Sequence, residues 1–276
     1  MPKPIALLQD ICAVPGTDVP LVFARDGSAR SDEGHRFRAI RGVPILREEI
    51  PPPIVKPRDH VSQGICQERI DFMCALSGYT LMLGAGNSPF SHPDVVDVEF
   101  DLYANTDVIA DGHRLPFRSG TFDLFFAMNV FEHLREPPVA ARETLRVLKP
   151  GGEVLIHTAF LQPLHEEPVH YYNATEYGVR EWFRDFESVE CTVSWNFNPL
   201  YSLSWLSDET LRVLQTHLGA EAAERIGDLR LSEVAGFWQQ PTGWRPEVVE
   251  LFFKLPEASQ RRVAAGFELC ARKPTD

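Results

Sequence analysis

Five short apolar runs between residues 79 and 160 dominate the hydrophobic pattern of this chain. Each run is rich in Leu, Val, Ile or Phe. The runs predict strands over 79–84, 94–100, 107–111, 121–129 and 153–160. Apolar positions at helical spacing predict helices over 66–78 and 137–152. Strands that alternate with helices predict an α/β fold with a doubly wound, mostly parallel sheet, covered on both faces because its strands are almost continuously apolar.

Within the second predicted helix, Ala141, Leu145 and Leu148 are expected to line the buried face, and the sequence Lys149-Pro150-Gly151-Gly152 is expected to end it. This four-residue stop is interpreted as structural, because glycine and proline terminate helices before a following strand.

The regions on either side of this pattern differ in character. Short β-type runs over 21–24, 35–40 and 43–46, separated by Asp-Gly, Glu-Gly and Arg-Gly turns, predict a small β meander within a domain of residues 1–50. A proline-rich linker follows over 51–61, and the main domain is expected over 62–276. Near the C-terminus, 208–226 has a helical pattern inside an insertion at about 193–260, and 262–274 is predicted as a closing strand.

The composition excludes several classes of protein. The formal net charge of −12, without a dense Lys/Arg cluster, argues against a nucleic-acid partner. The cysteines are five in number, and none forms a Cys-x-x-Cys pair, so we expect neither a metal site nor disulfides. The N-terminal apolar run is too short for a secretory signal, and no stretch approaches the roughly 20 apolar residues that span a bilayer. A cytoplasmic protein without membrane contact is therefore expected.

Chemistry-bearing residues follow the strand ends. The first strand runs into Gly84-Ala85-Gly86, a turn that brings backbone amides close to a ligand. A pyrophosphate-binding turn would have a third glycine where this chain has Pro89, and residues 87–94 offer no Lys or Arg to clamp a phosphate. Carboxylates at Glu99 or Asp101 could accept both hydroxyls of a ribose, and the pattern leaves open which of the two does so.

The next two strand ends complete this pattern. Asp111 could accept the amino group of adenine, and Leu115-Pro116-Phe117 could cover one face of that ring. The fourth strand ends at Met128-Asn129, where a donor would meet its acceptor. All of these residues follow carboxyl ends of strands, the edge at which open α/β sheets bind ligands.

The blocks LMLGAGNS, VEFDLYANTDVIADGHRLPF, TFDLFFAMNVFEHL and RETLRVLKPGGEVLI, in this order, resemble class I S-adenosylmethionine-dependent methyltransferases of the small-molecule type. The resemblance implies a Rossmann-like, seven-stranded sheet with S-adenosyl-L-methionine as cofactor. It also suggests that the N-terminal strands resemble a degenerate, metal-free zinc-ribbon-like domain. The cofactor-binding residues that it implies are Gly84, Ala85, Gly86, Asn87, Glu99, Asp101, Asp111, Gly112, His113, Asn129 and His133.

Acceptor-side residues are expected after the fifth strand, in the segment 160–178. There His165, His170 and Tyr171 are candidates for a proton acceptor or for the wall of the acceptor pocket, since a histidine pKa lies near working pH. A loop stabilised by aromatic packing and hydrogen bonds would also explain them. For Glu132-His133-Leu134 two interpretations stay open: the start of a helix with a packed or solvent-facing His, or a role on the substrate side.

Three functions remain open from the sequence. The first is methylation of a small molecule such as a sugar or a secondary metabolite, by in-line transfer. The second is methylation of a macromolecule, tRNA or protein, and the third is a non-catalytic cofactor-binding partner subunit. The segment 193–211 could select the acceptor, decorate the surface or form the contact of a homodimer.

Overall fold

The computed structural model describes residues 3–48, 51–57, 65–87, 91–194, 197–239 and 244–265. The contacts along the chain divide it into two units, which are treated separately. The first unit is Met1–Phe160 with Tyr171–Cys191, and the second is Leu161–His170 with Thr192–Asp276.

The N-terminal part of the first unit consists of very short elements. They are α1 (Ile5–Ile11), β1 (Val22–Phe23), β2 (Ala29–Arg30), β3 (Arg36–Phe37), β4 (Ala39–Ile40) and β5 (Val43–Pro44). The first three strands form an antiparallel meander and the last two a hairpin. The single strand predicted over 35–40 is therefore wrong: it is two strands in two sheets. The hairpin turns at Arg41 and Gly42, both at positive φ (53° and 83°), which is the conformation that tight hairpins need.

The central sheet confirms the predicted α/β architecture. The elements that build it are α2 (Gln67–Ala75), β6 (Thr80–Leu83), β7 (Val95–Glu99), β8 (Val108–Ile109), β9 (Phe122–Met128), α3 (Pro137–Val147), β10 (Leu148–His157) and α4 (Glu176–Trp182). All sheet pairings are parallel, in the order β10-β9-β6-β7-β8. The part of the chain that the structure describes thus contributes five strands to this sheet, whereas seven were expected.

The strand order decides where a ligand can lie. The chain leaves β6 for β7 on one side and later returns to β9 on the other side of β6, so the order reverses at this strand. A crevice forms at such a point, outside the carboxyl ends of the strands. The core beneath it is continuous with the N-terminal segment, because Leu8, Ile11, Phe23 and Leu46 share one hydrophobic cluster with the sheet.

Helix α3 is shorter than predicted and presents a different face. It ends at Val147, and Leu148 already pairs with Phe122 of β9. Its buried residues are Pro137, Ala140, Ala141, Thr144 and Val147. Leu145 is exposed, contrary to expectation. Small residues line the inner face because the helix packs closely against the sheet.

The second unit is helical where it is described. Its helices are α5 (Pro199–Leu218), α6 (Ala220–Gly227), α7 (Leu231–Gln239), α8 (Pro246–Phe253) and α9 (Glu257–Arg262). The helix predicted over 208–226 is two helices, because Gly219 adopts a φ of +90° between them. The closing strand predicted over 262–274 falls mostly on 266–276, outside the described residues. Over the described ranges, no helix combines the length and the apolar character that crossing a membrane demands.

Candidate functional site

The glycine turn follows directly from β6. Gly84 and Gly86 have φ values of +73° and +60°, a region that other residues rarely adopt. The Gly84 N–H donates to the carbonyl of Val98 at 2.9 Å, which ties the turn to β7. A Cβ at Gly84 would collide with the side chain of Val130, just past the end of β9. Only glycine therefore lets the chain turn this close to the end of the neighbouring strand.

The neighbours of these glycines have different surroundings. Ala85 is buried and packs with Met73, Met82 and Phe126 beneath the turn. Asn87 points to the other side, where its Nδ2 donates to the carbonyl of Pro57 at 3.0 Å. Pro89 lies among residues 88–90, which the structure does not describe, so the argument from the missing third glycine rests on sequence alone.

Glu99 is the last residue of β7 and is a buried acid beside the glycine turn. It is 6% exposed, and its Oε1 accepts a hydrogen bond from the Gly86 N–H. Burial raises its pKa to about 8, although the Gly86 bond acts in the opposite direction. Within the described ranges no second hydrogen bond reaches this carboxylate, so one oxygen holds the turn and the other remains for a ligand.

Asp101 follows two residues later and is already engaged. Its Oδ1 accepts the N–H of Ile54 at 2.9 Å, and the ammonium of Lys56 lies 3.5 Å from its Oδ2. The two candidate ribose acids thus differ in their partners: Glu99 bonds to the glycine turn, and Asp101 bonds to the N-terminal segment.

Asp111 is fixed by its own neighbour. The backbone N–H of His113 donates to Asp111 Oδ1 at 2.9 Å, and His113 Nδ1 donates to the same oxygen at 2.6 Å. Burial alone would raise the pKa of Asp111, but these bonds outweigh it and lower the pKa. His113 Nε2 accepts the N–H of Glu136 at 3.2 Å, which is consistent with a ring protonated at Nδ1. The carboxylate is thus oriented and ionised.

Residues beside Asp111 form the floor of this position. A Cβ on Gly112 would come within 3.2 Å of Leu83, so a glycine lets this loop pack on the end of β6. Leu115 and Phe117 are fully buried, and Phe117 packs edge-on against Phe122 with ring centroids 5.0 Å apart. Because neither side chain reaches the surface, neither can cover an adenine ring, and that expectation is wrong. Both side chains belong to the core instead.

The end of β9 brings Asn129 and a short 3₁₀ turn, Phe131–His133, to the same edge. Asn129 has a φ of +54°, and its N–H donates to the carbonyl of His157 at 2.9 Å. The N–H of His133 donates to the carbonyl of Val130 at 2.9 Å. These bonds hold the chain in a tight bend directly after the strand.

Glu132 lies inside this bend and was left open by the sequence. It is fully buried, and Thr158 Oγ1 donates to its Oε2 at 3.1 Å. No described residue bonds to Oε1. Burial raises the pKa of Glu132 to about 7. A buried, half-satisfied carboxyl of this kind can hold or pass a proton near neutral pH. The hydrophobic pattern did not predict that Glu132 is buried, because this residue lies in a short turn without a regular pattern around it.

Tyr171 belongs to the first unit and is anchored to this bend. The N–H groups of Tyr171 and Tyr172 both donate to the Glu132 carbonyl, at 2.8 and 3.2 Å. Arg135 Nε donates to the Tyr171 hydroxyl at 3.1 Å, and the Tyr172 hydroxyl donates to the Arg135 carbonyl at 2.9 Å. The tyrosine pair is therefore fixed beside Glu132.

His165 and His170 belong to the second unit, where they form a ring pair. Their centroids are 4.1 Å apart, and Trp205 lies 5.3 Å from His165. His165 Nδ1 donates to the Pro163 carbonyl at 2.9 Å, so the neutral ring carries its lone pair on Nε2. His170 Nδ1 accepts the backbone N–H of His165 at 3.2 Å, so the neutral His170 ring carries its proton on Nε2.

In the first unit, the glycine turn, Glu99, Asp111 and Asn129 all follow the carboxyl ends of strands in one parallel sheet. Glu99 and Asp111 are acids at this edge, and residues 84–91 contain no Lys, Arg or His. Residues 91–156 match the sequence family described as "Methyltransferase domain". The match contains Glu99, Asp111 and Asn129, and it confirms the methyltransferase fold expected from the sequence.

The curated relatives match this chain over only part of their length. An uncharacterized methyltransferase of Mycolicibacterium gilvum is 40% identical over 72 residues, which are 25% of this chain and 28% of that protein. The chloroplastic tocopherol O-methyltransferase of Arabidopsis thaliana is 27% identical over 135 residues, 47% of this chain and 33% of that protein. The chain thus spans about a third of the length of these curated relatives.

Solved structures show more distant likeness. The Haemonchus contortus phosphoethanolamine N-methyltransferase 2 in complex with S-adenosyl-L-methionine has a TM-score of 0.35 and 16% identity, over 67% of this chain and 49% of that one. The [4+2]-cyclase SpnF has a TM-score of 0.33 and 19% identity, over 43% of this chain and 56% of that one.

Proposed function

We propose that this chain is an S-adenosylmethionine-dependent methyltransferase that acts on a small-molecule acceptor such as a sugar or a secondary metabolite. The methyltransferase-domain match supports the enzyme class and its cofactor. The observation that carries the proposal is the buried carboxylate of Glu99, which the Gly86 N–H holds at the reversal point of the strand order.

The donor set fits this cofactor. Hydroxyl groups of a ribose would donate to Glu99, and the amino group of adenine would donate to Asp111, because its His113 bonds both use Oδ1. At the turn around Gly84 there is no room for a Cβ, so backbone groups rather than a side chain would contact the methionine part of the cofactor. When bound, the cofactor supplies a methyl group on a positively charged sulfur. The residues proposed to hold it are Gly84, Ala85, Gly86, Asn87, Glu99, Asp111, Gly112, His113, Asn129 and His133.

The chain's own contribution is then electrostatics, position and removal of a proton. The ionised carboxylate of Asp111 favours a cationic ligand at this edge, and Glu99 does so when it is deprotonated. Positioning the reactants supplies most of the rate enhancement, because holding the methyl group and the acceptor in line avoids the entropy cost of bringing them together.

A proton must leave when the acceptor is a hydroxyl or an ammonium. We propose that this proton goes to one of the acceptor-side residues expected from the sequence, His165, His170 or Tyr171, with His165 as the first to test. Replacing His165 by Ala should lower turnover by roughly 10²-fold or more and leave cofactor affinity unchanged. His35→Ala, an exposed histidine of the meander, is the matched control. Full turnover in His165→Ala would remove the assignment.

The acceptor class is supported by the charge of the chain, −12, which disfavours a polyanion such as tRNA. The test uses methyl-labelled S-adenosylmethionine with a cell extract that is separated by size after reaction. We expect label in the small-molecule fraction. In the protein and RNA fractions we expect no more label than in a reaction with the Glu99→Gln control. Label in precipitated protein or RNA would overturn the acceptor class, and absence of cofactor binding in calorimetry would overturn the function itself.

A further inference from the structure

A segment of the N-terminal region, residues 43–57, runs along β8 and the end of β7 and is here called the arm. Its first half pairs with β8, where the N–H of Leu46 donates to the Ile109 carbonyl at 2.8 Å. Its second half pairs with the chain after β7: Leu102 donates to the Ile54 carbonyl at 2.9 Å, and Lys56 donates to the Leu102 carbonyl at 2.9 Å. Residues 49–50 lie outside the described ranges.

Arg47 fastens the first half of the arm to the residue after Glu99. This arginine is 6% exposed, and its guanidinium carbon lies 3.7 Å from the centre of the Phe100 ring. Its Nε donates to the Phe100 carbonyl at 3.1 Å, and its Nη1 donates to the carbonyls of Glu48 and Pro51 at 2.6 and 2.9 Å. A buried guanidinium with so many acceptors fixes the backbone around it.

The second half of the arm reaches both Asp101 and the glycine turn. Asp101 accepts the Ile54 N–H and pairs with the Lys56 ammonium. Both side chains of this ion pair are largely buried, 25% and 17% exposed. The Pro57 carbonyl accepts the side-chain amide of Asn87, whose Oδ1 in turn accepts the Ala104 N–H at 3.0 Å. The arm therefore contacts Phe100 and Asp101, which follow Glu99, and Asn87, which follows the glycine turn.

We propose that Lys56 is a positioning residue for cofactor binding: it pairs with Asp101, holds that carboxylate on the arm, and leaves Glu99 as the one acid that binds the ribose. The inference rests on the function proposed above. Lys56 is not a catalytic residue, since it acts through Asp101 and the charge of Glu99.

Charge supports the same role. Apart from burial, Asp101 raises the pKa of Glu99, and Lys56 lowers it; Asp97, further back on β7, is the other acid coupled to Glu99. Ribose hydroxyls donate to an ionised carboxylate. Removing Lys56 would leave the charge of Asp101 unbalanced beside Glu99, so binding would require a higher pH. Removing Asp101 would have the opposite effect.

The test measures the affinity of S-adenosylhomocysteine by calorimetry between pH 6 and pH 9. In Lys56→Met we expect affinity at neutral pH to fall roughly three- to tenfold and the pH midpoint of binding to move upward. Lys56→Arg should bind like the parent protein. Asp101→Asn should move the midpoint downward, and the double variant Lys56→Met/Asp101→Asn should regain affinity relative to Lys56→Met.

Lys149→Met is the matched control, because Lys149 pairs with Asp123 at 2.7 Å. It should leave affinity and midpoint unchanged. Unaltered binding in Lys56→Met would overturn the inference. So would a loss in Asp101→Asn as large as that in Glu99→Gln, because Asp101 would then be the ribose acid; this variant decides the matter even where Lys56→Met folds poorly. If the parent protein itself binds no ligand, the proposed function fails instead.

Discussion

Replacing Glu99 by Gln should stabilise the ligand-free protein at alkaline pH and weaken cofactor binding at the same time. The substitution keeps the size of the side chain and an oxygen that can accept the Gly86 N–H. It removes the negative charge that burial disfavours. Opposite effects on stability and affinity distinguish a ligand-binding acid from an acid that supports the fold, whose removal would lower both.

The magnitude follows from the pKa. Burial raises the pKa of Glu99 from 4.5 to about 8, so between these pH values the native state binds more protons than the unfolded chain. Stability therefore falls as pH rises through this window, by on the order of 5 kcal/mol in total. Glu99→Gln does not lose this stability, because its amide carries no charge at any of these pH values. We expect it to be more stable than the parent by a few kcal/mol at pH 9, with a much smaller difference at pH 5.

The two measurements are thermal denaturation of the ligand-free protein across pH 5–9 and calorimetry with S-adenosylhomocysteine. Losing the hydrogen bonds between the ribose and a charged group should weaken binding roughly 10- to 100-fold. Glu68→Gln, an exposed acid on α2, should change neither quantity. A stability difference between Glu99→Gln and the parent that is the same at pH 5 and pH 9 would refute the reasoning, as would undiminished affinity.

Further substitutions probe the rest of the site and the core. Gly84→Ala should lower the melting temperature and cofactor affinity, because its φ is +73° and the new methyl group meets Val130; Val130→Ala should recover part of the melting temperature in the double variant. Asp111→Asn should weaken cofactor binding roughly tenfold in calorimetry, and unchanged affinity would remove the adenine assignment. Cys12 should resist alkylation in the native protein while exposed Cys74 reacts, as peptide mass mapping would show, because burial raises the Cys12 pKa far above its ordinary range.

The central sheet could be predicted because its strands carry a strong local signal. The runs that became β6, β7 and β9 consist mainly of apolar residues and are buried over almost their whole length, as expected for strands covered on both faces. Signals that depend on a single residue were less reliable. The division of 35–40 into two strands falls at Arg38, and the helix break at Gly219 follows from one residue with a φ of +90°; the surrounding hydrophobic pattern encodes neither.

The site could be predicted as a set of positions, but its internal contacts could not. Glu99 and Asp101 stand two residues apart at the same strand end, and nothing local separates their roles. Their partners differ only because the arm returns from 47 residues earlier in the chain to meet Asp101. Leu115 and Phe117 show the same limit of prediction. From the sequence alone, an apolar residue that contacts a ligand cannot be distinguished from one that packs in the core.

The three acids on β7 and just after it have different surroundings. Asp97, Glu99 and Asp101 alternate along the chain; one lysine of the N-terminal region pairs with Asp101 itself, and another pairs with Asp107, which lies beside Asp97. Lys3 pairs with Asp107, whose carboxylate accepts the Asp97 N–H at 2.9 Å, and Lys56 pairs with Asp101. Over the described ranges Glu99 has no ion pair, only the neutral Gly86 N–H. Burying Glu99 without a cation lowers the stability of the ligand-free protein. A bound, positively charged ligand would offset this loss, which explains why the fold tolerates it.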